Sequence, residues 1–499
     1  WPERWAGPKL DVGSDLTAGL RLARRPGAPR VLAGQRIPRL KRSPPYDCPV
    51  DGDPAPGRAA TTPRGAACSA NTPAAAQTTC CHGARAVKRQ AATPKGIERR
   101  IRDLGFERVE DPRRAASVKH QLPTVLATLV AAVVTMARSL REVEDRSEQI
   151  AIKQDSWLGI NRRIADNTFG KVLARLQVGQ LVTRLHAAVK AEMRRGNLAP
   201  TMLPIGTAAI DGKNVATLHW YDLCRVLGLE PDKATASQVK PRIKGRFPYL
   251  QFCTPKKGLP YALARVHTVT LISAAAGCCI HQRPIEGATN EVGAMPSLLA
   301  QLHAAYGRTN LVEMLTTDAG NTSLAVATTI VDQLHWHYFL QFKGEHGELY
   351  EEASRVLGHR SEDRADFGYA DTQNGSTVTY HVWCYDLGND GWLDWTHARQ
   401  LVRVQRVAQH PITGHKTVGN RYYVTSKRPD DLKPQHALSI SRMHWRCEQE
   451  THWTCDAMLQ EDRRQLAWSR HPHGVFVVSV LRVIALNILA VARKLSRLG

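Results

Sequence analysis

Residues 203–215, LPIGTAAIDGKNV, and residues 311–320, LVEMLTTDAG, carry the reading from which the fold follows. Each is a short apolar or β-branched run that stops at an aspartate, Asp211 in the first and Asp318 in the second, with small residues (Gly212; Ala319 and Gly320) directly after it. Runs of this length predict buried strands. A carboxylate at the strand mouth with a small neighbour leaves space for a metal and a phosphate. Between the two runs lie ARVHTVTLIS (264–273) and GCCIHQRPI (277–285), which read as hairpin-like strands, and AMPSLLAQLHAAY (294–306), which has helical spacing. The order strand, two hairpin strands, helix, strand predicts an α/β fold with a mixed sheet flanked by helices.

Downstream, a helical LAVATTIVDQL (324–334) precedes a strand WHYFLQFKG (336–344). About a hundred residues of strands and loops follow, including STVTYHVWCYDL (376–387), RQLVRVQRVA (399–408) and NRYYVTS (420–426), and read as an inserted β-rich module at 345–438. Helices close the chain, from ISRMHWRCEQETHWTCDAML (440–459) to GVFVVSVLRVIALNILAVA (474–492). Upstream, residues 111–203 carry apolar residues at three- and four-residue spacing and predict a helical domain, the candidate DNA-binding region for sequence-specific recognition, with Asp166 or Asn167 as an N-cap. Residues 1–110 are basic and rich in Pro and Ala, a composition that predicts no packed core. The catalytic part is then 204–344 together with 439–499.

The chain has 499 residues, with 68 Lys and Arg against 45 Asp and Glu, a formal charge of +23. That balance points to a polyanionic partner, nucleic acid first. Eleven cysteines, an odd number with no CxxC, suit a reducing cytoplasm. Cys80-Cys81-His82 lacks the four-ligand spacing of a zinc site. LPTVLATLVAAVVTMA (122–137) is too short to span a bilayer. The run at 474–492 carries Arg482 in its middle and reads as a core helix with one solvated or phosphate-facing side. No membrane association is expected, and the chain, which starts at Trp1, shows no export signal.

A third acid would complete an oxygen-rich site for Mg²⁺. Glu448 is the candidate. In HWRCEQETHW, His444, Glu448 and His452 fall at i, i+4 and i+8 on one helix face, without HExxH zinc spacing. Lys213 and Lys343, near the proposed strand ends, are candidates for contacting substrate phosphates.

Several passages in order along the chain resemble the DDE transposases of bacterial insertion sequences, in the H-repeat-associated branch. DPRRAASVKHQLPTVLATLVAAVV resembles the family's N-terminal helical region, LPIGTAAIDGKNV its first catalytic motif, and ATNEVGAMPSLLAQL its strand-to-helix passage. LTTDAGNTSLAVATTIV with HYFLQFKG resembles the second catalytic region, NRYYVTS the late strand, and HWRCEQETHWTCDAMLQED the third motif. The resemblance implies a ribonuclease-H-like catalytic fold with a β-rich insertion, catalytic and metal-binding roles for Asp211, Asp318 and Glu448, and two Mg²⁺ ions, with Mn²⁺ as a substitute. It implies double-stranded DNA as partner, both terminal inverted repeats and target, and a homodimer on that DNA. The chain departs from the family pattern at Ala288, where a Lys is usual, at Gln449, where an Asn is usual, and around His381, where an HGR-type string is usual. A decayed or domesticated DNA-binding protein and a host nuclease of the same fold are the competing expectations.

Overall fold

In the computed structural model of the chain, residues 94–152, 156–373, 375–388, 393–461 and 472–497 are described, and all belong to one compact unit. Residues 1–93 of the stretch expected to lack a core lie outside them, as does the Cys80-Cys81-His82 cluster. Residues 94–109 are packed: helix α1 (Pro94–Arg102) and the turn after it bury Ile101, Leu104, Phe106 and Val109. Packing therefore begins inside the span 1–110.

Four helices follow, α2 (Leu122–Val134), α3 (Leu140–Ile152), α4 (Asp166–Leu173) and α5 (Val178–Arg194). Pro123 lies in the first turn of α2, where a missing N–H breaks no helical bond. Asp166 is the first helical residue of α4 rather than its cap, and Ala165 precedes it without a side-chain cap. The carboxylate still complements the positive end of the helix.

The central sheet is built from β1 (Thr207–His219), β2 (Leu250–Cys253), β3 (Tyr261–Leu271), β4 (Cys278–Pro284), β5 (Met314–Thr317), β6 (His337–Phe342), β7 (Phe367–Gln373), β8 (Ser376–Asp386), β9 (Gln400–Gln409) and β10 (Lys416–Thr425). Its order is β2-β3-β1-β5-β6-β10-β9-β8-β7, with β4 also on β3. β1, β3 and β4 pair antiparallel, whereas β5 runs parallel to both β1 and β6. The region read as an inserted module is continuous with this sheet: β10 pairs antiparallel with β6 through Tyr422–Phe342 to Thr425–Phe339. The hydrogen-bonding edge of β6 is covered in this way, which removes an exposed strand edge.

The connections include α6 (Trp220–Leu227) and α7 (Ala236–Arg246) between β1 and β2, α8 (Glu291–Tyr306) before β5, α9 (Leu324–Thr328) with a wider turn after it, and α10 (Glu348–Leu357). After the sheet come α11 (Pro434–Met443), two π-helical segments (Cys447–His452 and Thr454–Met458), and α12 (Gly474–Arg497).

Strand alternation sorts β1 and β5 between two cores. Ala208, Ile210 and Leu315 face the larger one, with α2, α5 and α12, while Ala209 and Met314 face the smaller one with Leu438, Ile440 and Cys447. α12 is the one described helix long and apolar enough to cross a membrane, and 83% of its apolar window is buried inside the protein. It packs on α2, α5 and β4 as a core helix. Arg482 is internal rather than solvated, with Nη1 3.0 Å from Glu461 Oε1.

Candidate active site

β1 does not stop at Asp211 but continues to His219. What ends there is its parallel partner. The last register pair of β1 with β5 is Ile210–Thr317, so Asp211 and Asp318 are the next residues on neighbouring strands. Both belong to the alternation class of Ala209 and Met314, hence to the face covered by α11 and the π-helical segment that bears Glu448. Thr316 Oγ1, 3.4 Å from His444 Nδ1, joins β5 to the same segment.

Asp211 is tightly held. Its Oδ1 accepts the Gly212 N–H at 2.8 Å, and its Oδ2 lies 3.3 Å from His452 Nδ1. The other nitrogen of His452 lies 2.8 Å from Thr268 Oγ1 on β3. Burial pushes the Asp211 carboxyl up, but the His452 contact, the charge of His444 and the Gly212 N–H together hold it below the usual range. Asp318 caps the turn Ala319–Asn321, accepting from the Asn321 backbone at 3.1 Å and its side chain at 2.9 Å. Glu448 stands exposed at the rim. Partial desolvation and then the charge of Asp211, with Asp318 adding to it, raise its pKa.

The segment expected to be α-helical is π-helical from Cys447 to His452, a form that recurs at functional sites. It still buries both His444 and His452 and leaves Glu448 outward.

The profile of the family described as DDE_Tnp_1-associated matches residues 105–187. Among curated proteins the chain is 27% identical over 235 residues to "Putative transposase YncI" of Escherichia coli O157:H7, covering 45% of this chain and 56% of that one. The chain thus spans little more than half the length of this relative. It is 24% identical to "Putative protein YbfL" and 23% identical to "H repeat-associated putative transposase YhhI", both of Escherichia coli K12, each over 396 residues, 76% of this chain and 88% of the relative. The chain is thus similar to bacterial transposases, an H-repeat-associated one among them. A cryo-EM structure of a piggyBac transposase synaptic complex with hairpin DNA covers 82% of this chain and 75% of its own at 12% identity, with a TM-score of 0.35, too slight a likeness to bear on the fold.

In the structure a fourth acid joins the three read from sequence. Glu291, the first residue of α8, accepts from Asn321 Nδ2 at 3.2 Å, so Asn321 bridges it to Asp318. Its carboxylate packs on Gly212, where any Cβ would lie 2.4 Å from it. The space left by Gly212 is filled by this acid. Desolvation raises the Glu291 pKa and the charges of Asp211 and Asp318 raise it further, although the Asn321 bond opposes them. The TNE string was visible, but a Glu at a helix start ordinarily serves the helix dipole, so nothing local marked it.

Lys213 faces inward, with Nζ 2.6 Å from Asp456 Oδ1 and 3.2 Å from Glu461 Oε2. Its charge is held by protein acids rather than presented to a phosphate. Lys343 is partly exposed beyond β6, 3.3 Å from Glu345. Gln449 and Ala288 are exposed, and His381 sits on β8 in the distal half of the sheet.

The donors suit a hard cation: four carboxylates, two of them with raised pKa values, and no thiolate contributed by the neighbouring Cys447, whose pKa burial raises well above its usual value. Among the described residues no three His, Cys, Asp or Glu side chains lie close enough to hold one ion. Asp211 and Asp318 would therefore hold it with water filling the remaining positions, as Mg²⁺ accepts, and Glu448 would join by rotating its exposed side chain.

Proposed function

We propose that the chain is a DNA transposase of the DDE type, with Asp211, Asp318 and Glu448 as the acids of a ribonuclease-H-like catalytic domain. The observation that carries the reading is the placement of Asp211 and Asp318 at equivalent positions, each one residue past the last register pair of two parallel strands, on the face overlain by the Glu448 segment. The strand order β4-β3-β1-β5-β6, antiparallel in its first three members and parallel in its last two, supports the ribonuclease-H-like reading. The relatives named as transposases, one of them H-repeat-associated, support the activity.

Two bound Mg²⁺ or Mn²⁺ ions would stabilise the entering and leaving oxygens of an in-line phosphoryl displacement. Asp211, fixed by His452 and the Gly212 N–H, presents a preset ligand. Asp318 is fixed by its own turn. Glu448, exposed and with a raised pKa, is the movable acid. The substrates are DNA duplexes carrying the terminal inverted repeats, then target DNA, with two copies of the chain joining two ends in the cytoplasm.

A second reading, a DNA-binding derivative that no longer cuts, draws on the engagement of Asp211 by His452 in place of a closed cation site. One assay separates them: Mg²⁺-dependent cleavage of DNA bearing the element's ends, by the parent and by Asp211→Asn. The transposase reading expects cleavage by the parent and a loss of at least about a hundredfold in the variant. Binding without cleavage by either protein sustains the second reading, and equal cleavage by both removes Asp211 from the chemistry.

A further inference from the structure

Helix α7 and the loop between β2 and β3 expose Lys240, Arg242, Lys244, Arg246, Lys256 and Lys257. From Lys233 to Pro260 the sequence holds no Asp or Glu. Among the described residues none of these six cations forms a salt bridge. Concentrated charge of one sign without acidic partners is the footprint of a polyanion.

The arrangement on α7 narrows the class. Val239 and Ile243 are buried and fix the inner face. At 100° per residue, Lys240 and Lys244 then project from one flank and Arg242 from the other, whereas Arg246 lies nearer the inner face and donates to Val226 O at 2.9 Å. The outward ridge between them is Ser237, Pro241 and Gly245, all exposed and all short. The helix start is secured by a capping box between Thr235 and Gln238.

We propose that α7 is a docking helix for duplex DNA of arbitrary sequence, seated in the major groove with Lys240 and Lys244 toward one phosphate strand and Arg242 toward the other. An α-helix is about 10–12 Å across, and the major groove of B-form DNA is about 12 Å wide. The low ridge admits the helix backbone deep into the groove and offers few groups to read bases, so affinity comes from phosphate contacts. The narrow major groove of A-form RNA excludes such a helix.

The position suits delivery of DNA to the acids. Leu250 of β2 pairs with Ala264 of β3, which pairs with Ala216 of β1, five residues beyond Asp211. That is about 17 Å along a strand, near half of a duplex turn of about 34 Å. The loop leading to Glu291 is pinned to the same region: Gly287 N donates to Pro248 O at 2.7 Å, and a Cβ at Gly287 would lie 2.0 Å from Leu250 O.

This inference rests on the transposase reading for the identity of its ligand as DNA, but its test does not require cleavage. The full chain is titrated with a random 30-base-pair DNA duplex over a range of salt, against a variant carrying Lys240→Gln, Arg242→Gln, Lys244→Gln and Lys257→Gln. A control variant carries Arg146→Gln, Lys171→Gln, Arg175→Gln and Arg194→Gln on the exposed side of the N-terminal helices. The proposal expects the α7 variant to melt like the parent, bind at least about tenfold more weakly, and flatten the log–log salt slope by roughly three to four, while the control moves little. An unchanged α7 variant, an equal loss in the control, or parent binding to double-stranded RNA as tight as to DNA would overturn it. Cleavage by the parent with α7-independent binding sinks this inference and spares the transposase reading; α7-dependent binding without cleavage does the reverse.

Discussion

Asp211 and Lys213 lie two residues apart on one face of β1, and each meets a group of carboxylates that the protein treats in opposite ways. Around Lys213, the buried Glu461 is matched by Lys213 and Arg482, and Asp456 closes the set at 2.6 Å. Desolvation works against the Glu461 charge, yet the two cations hold its pKa below the ordinary carboxylate range. Around Asp211, the acids Asp318, Glu291 and Glu448 gather with histidines, Asn321 and backbone N–H groups as their contacts and, among the described residues, no salt bridge to Lys or Arg; the charges of Arg265 and Arg421 oppose the raised pKa values of Glu291 and Glu448 without cancelling them. The first group is electrically closed and serves the fold. The second is left short of positive charge, the condition under which an external cation binds best.

The largest effect that tests this contrast is on stability in the closed group. Lys213→Met removes the Lys213 contact from Asp456 and leaves the buried Glu461 with Arg482 alone of its two cations. We expect a loss of about 3–5 kcal/mol, read as a lower urea midpoint at unchanged slope. A loss below about 1 kcal/mol would mean that the closed group is not closed.

The two groups also differ in the sign of their pH dependence. The folded pKa of Glu461 is depressed, so its stabilisation is present above the unfolded value and is lost as pH falls through the folded one. The folded pKa of Glu291 is raised, so its ionised form destabilises the fold above that value, and the cost disappears as pH falls through it. Glu461→Gln should therefore destabilise at pH 7 and less so in acid, whereas Glu291→Gln should stabilise at pH 7 and be neutral in acid. Melting curves of both variants at pH 7 and pH 4 decide this, and the same sign for both would collapse the distinction.

The smallest expected effect is thermal. Adding Mg²⁺ to the parent should raise its melting temperature by roughly 1–3 °C, and the shift should vanish in Asp318→Asn. An equal shift in that variant would place the cation elsewhere.

Much of this was legible in the chain itself. The runs ending at Asp211 and Asp318, the hairpin strands between them and the helix at 294–306 announced themselves because periodicity and β-branching are local properties. The acids on those strands were readable for the same reason. The roles of the neighbours were not: Lys213 looked like a phosphate ligand because it follows Asp211, and only the packing of the second π-helical segment gives it Asp456 and Glu461 as partners. Glu291 resembled an ordinary first-turn acid until α8 was set against Gly212.

That the strands at 367–425, within the span read as an inserted β-rich module, extend the central sheet through β6 was not legible for a similar reason, since nothing in a strand's sequence names the strand it will pair with. The sequence by itself thus determined most of the strands and helices and the position of Asp211 and Asp318 beside two buried runs, which depend on residues close together along the chain, together with the basic balance of charge. Tertiary structure alone decided which charges are cancelled and which are left open. That choice depends on what desolvates each group and which partner reaches it across more than 200 residues, as His452 reaches Asp211.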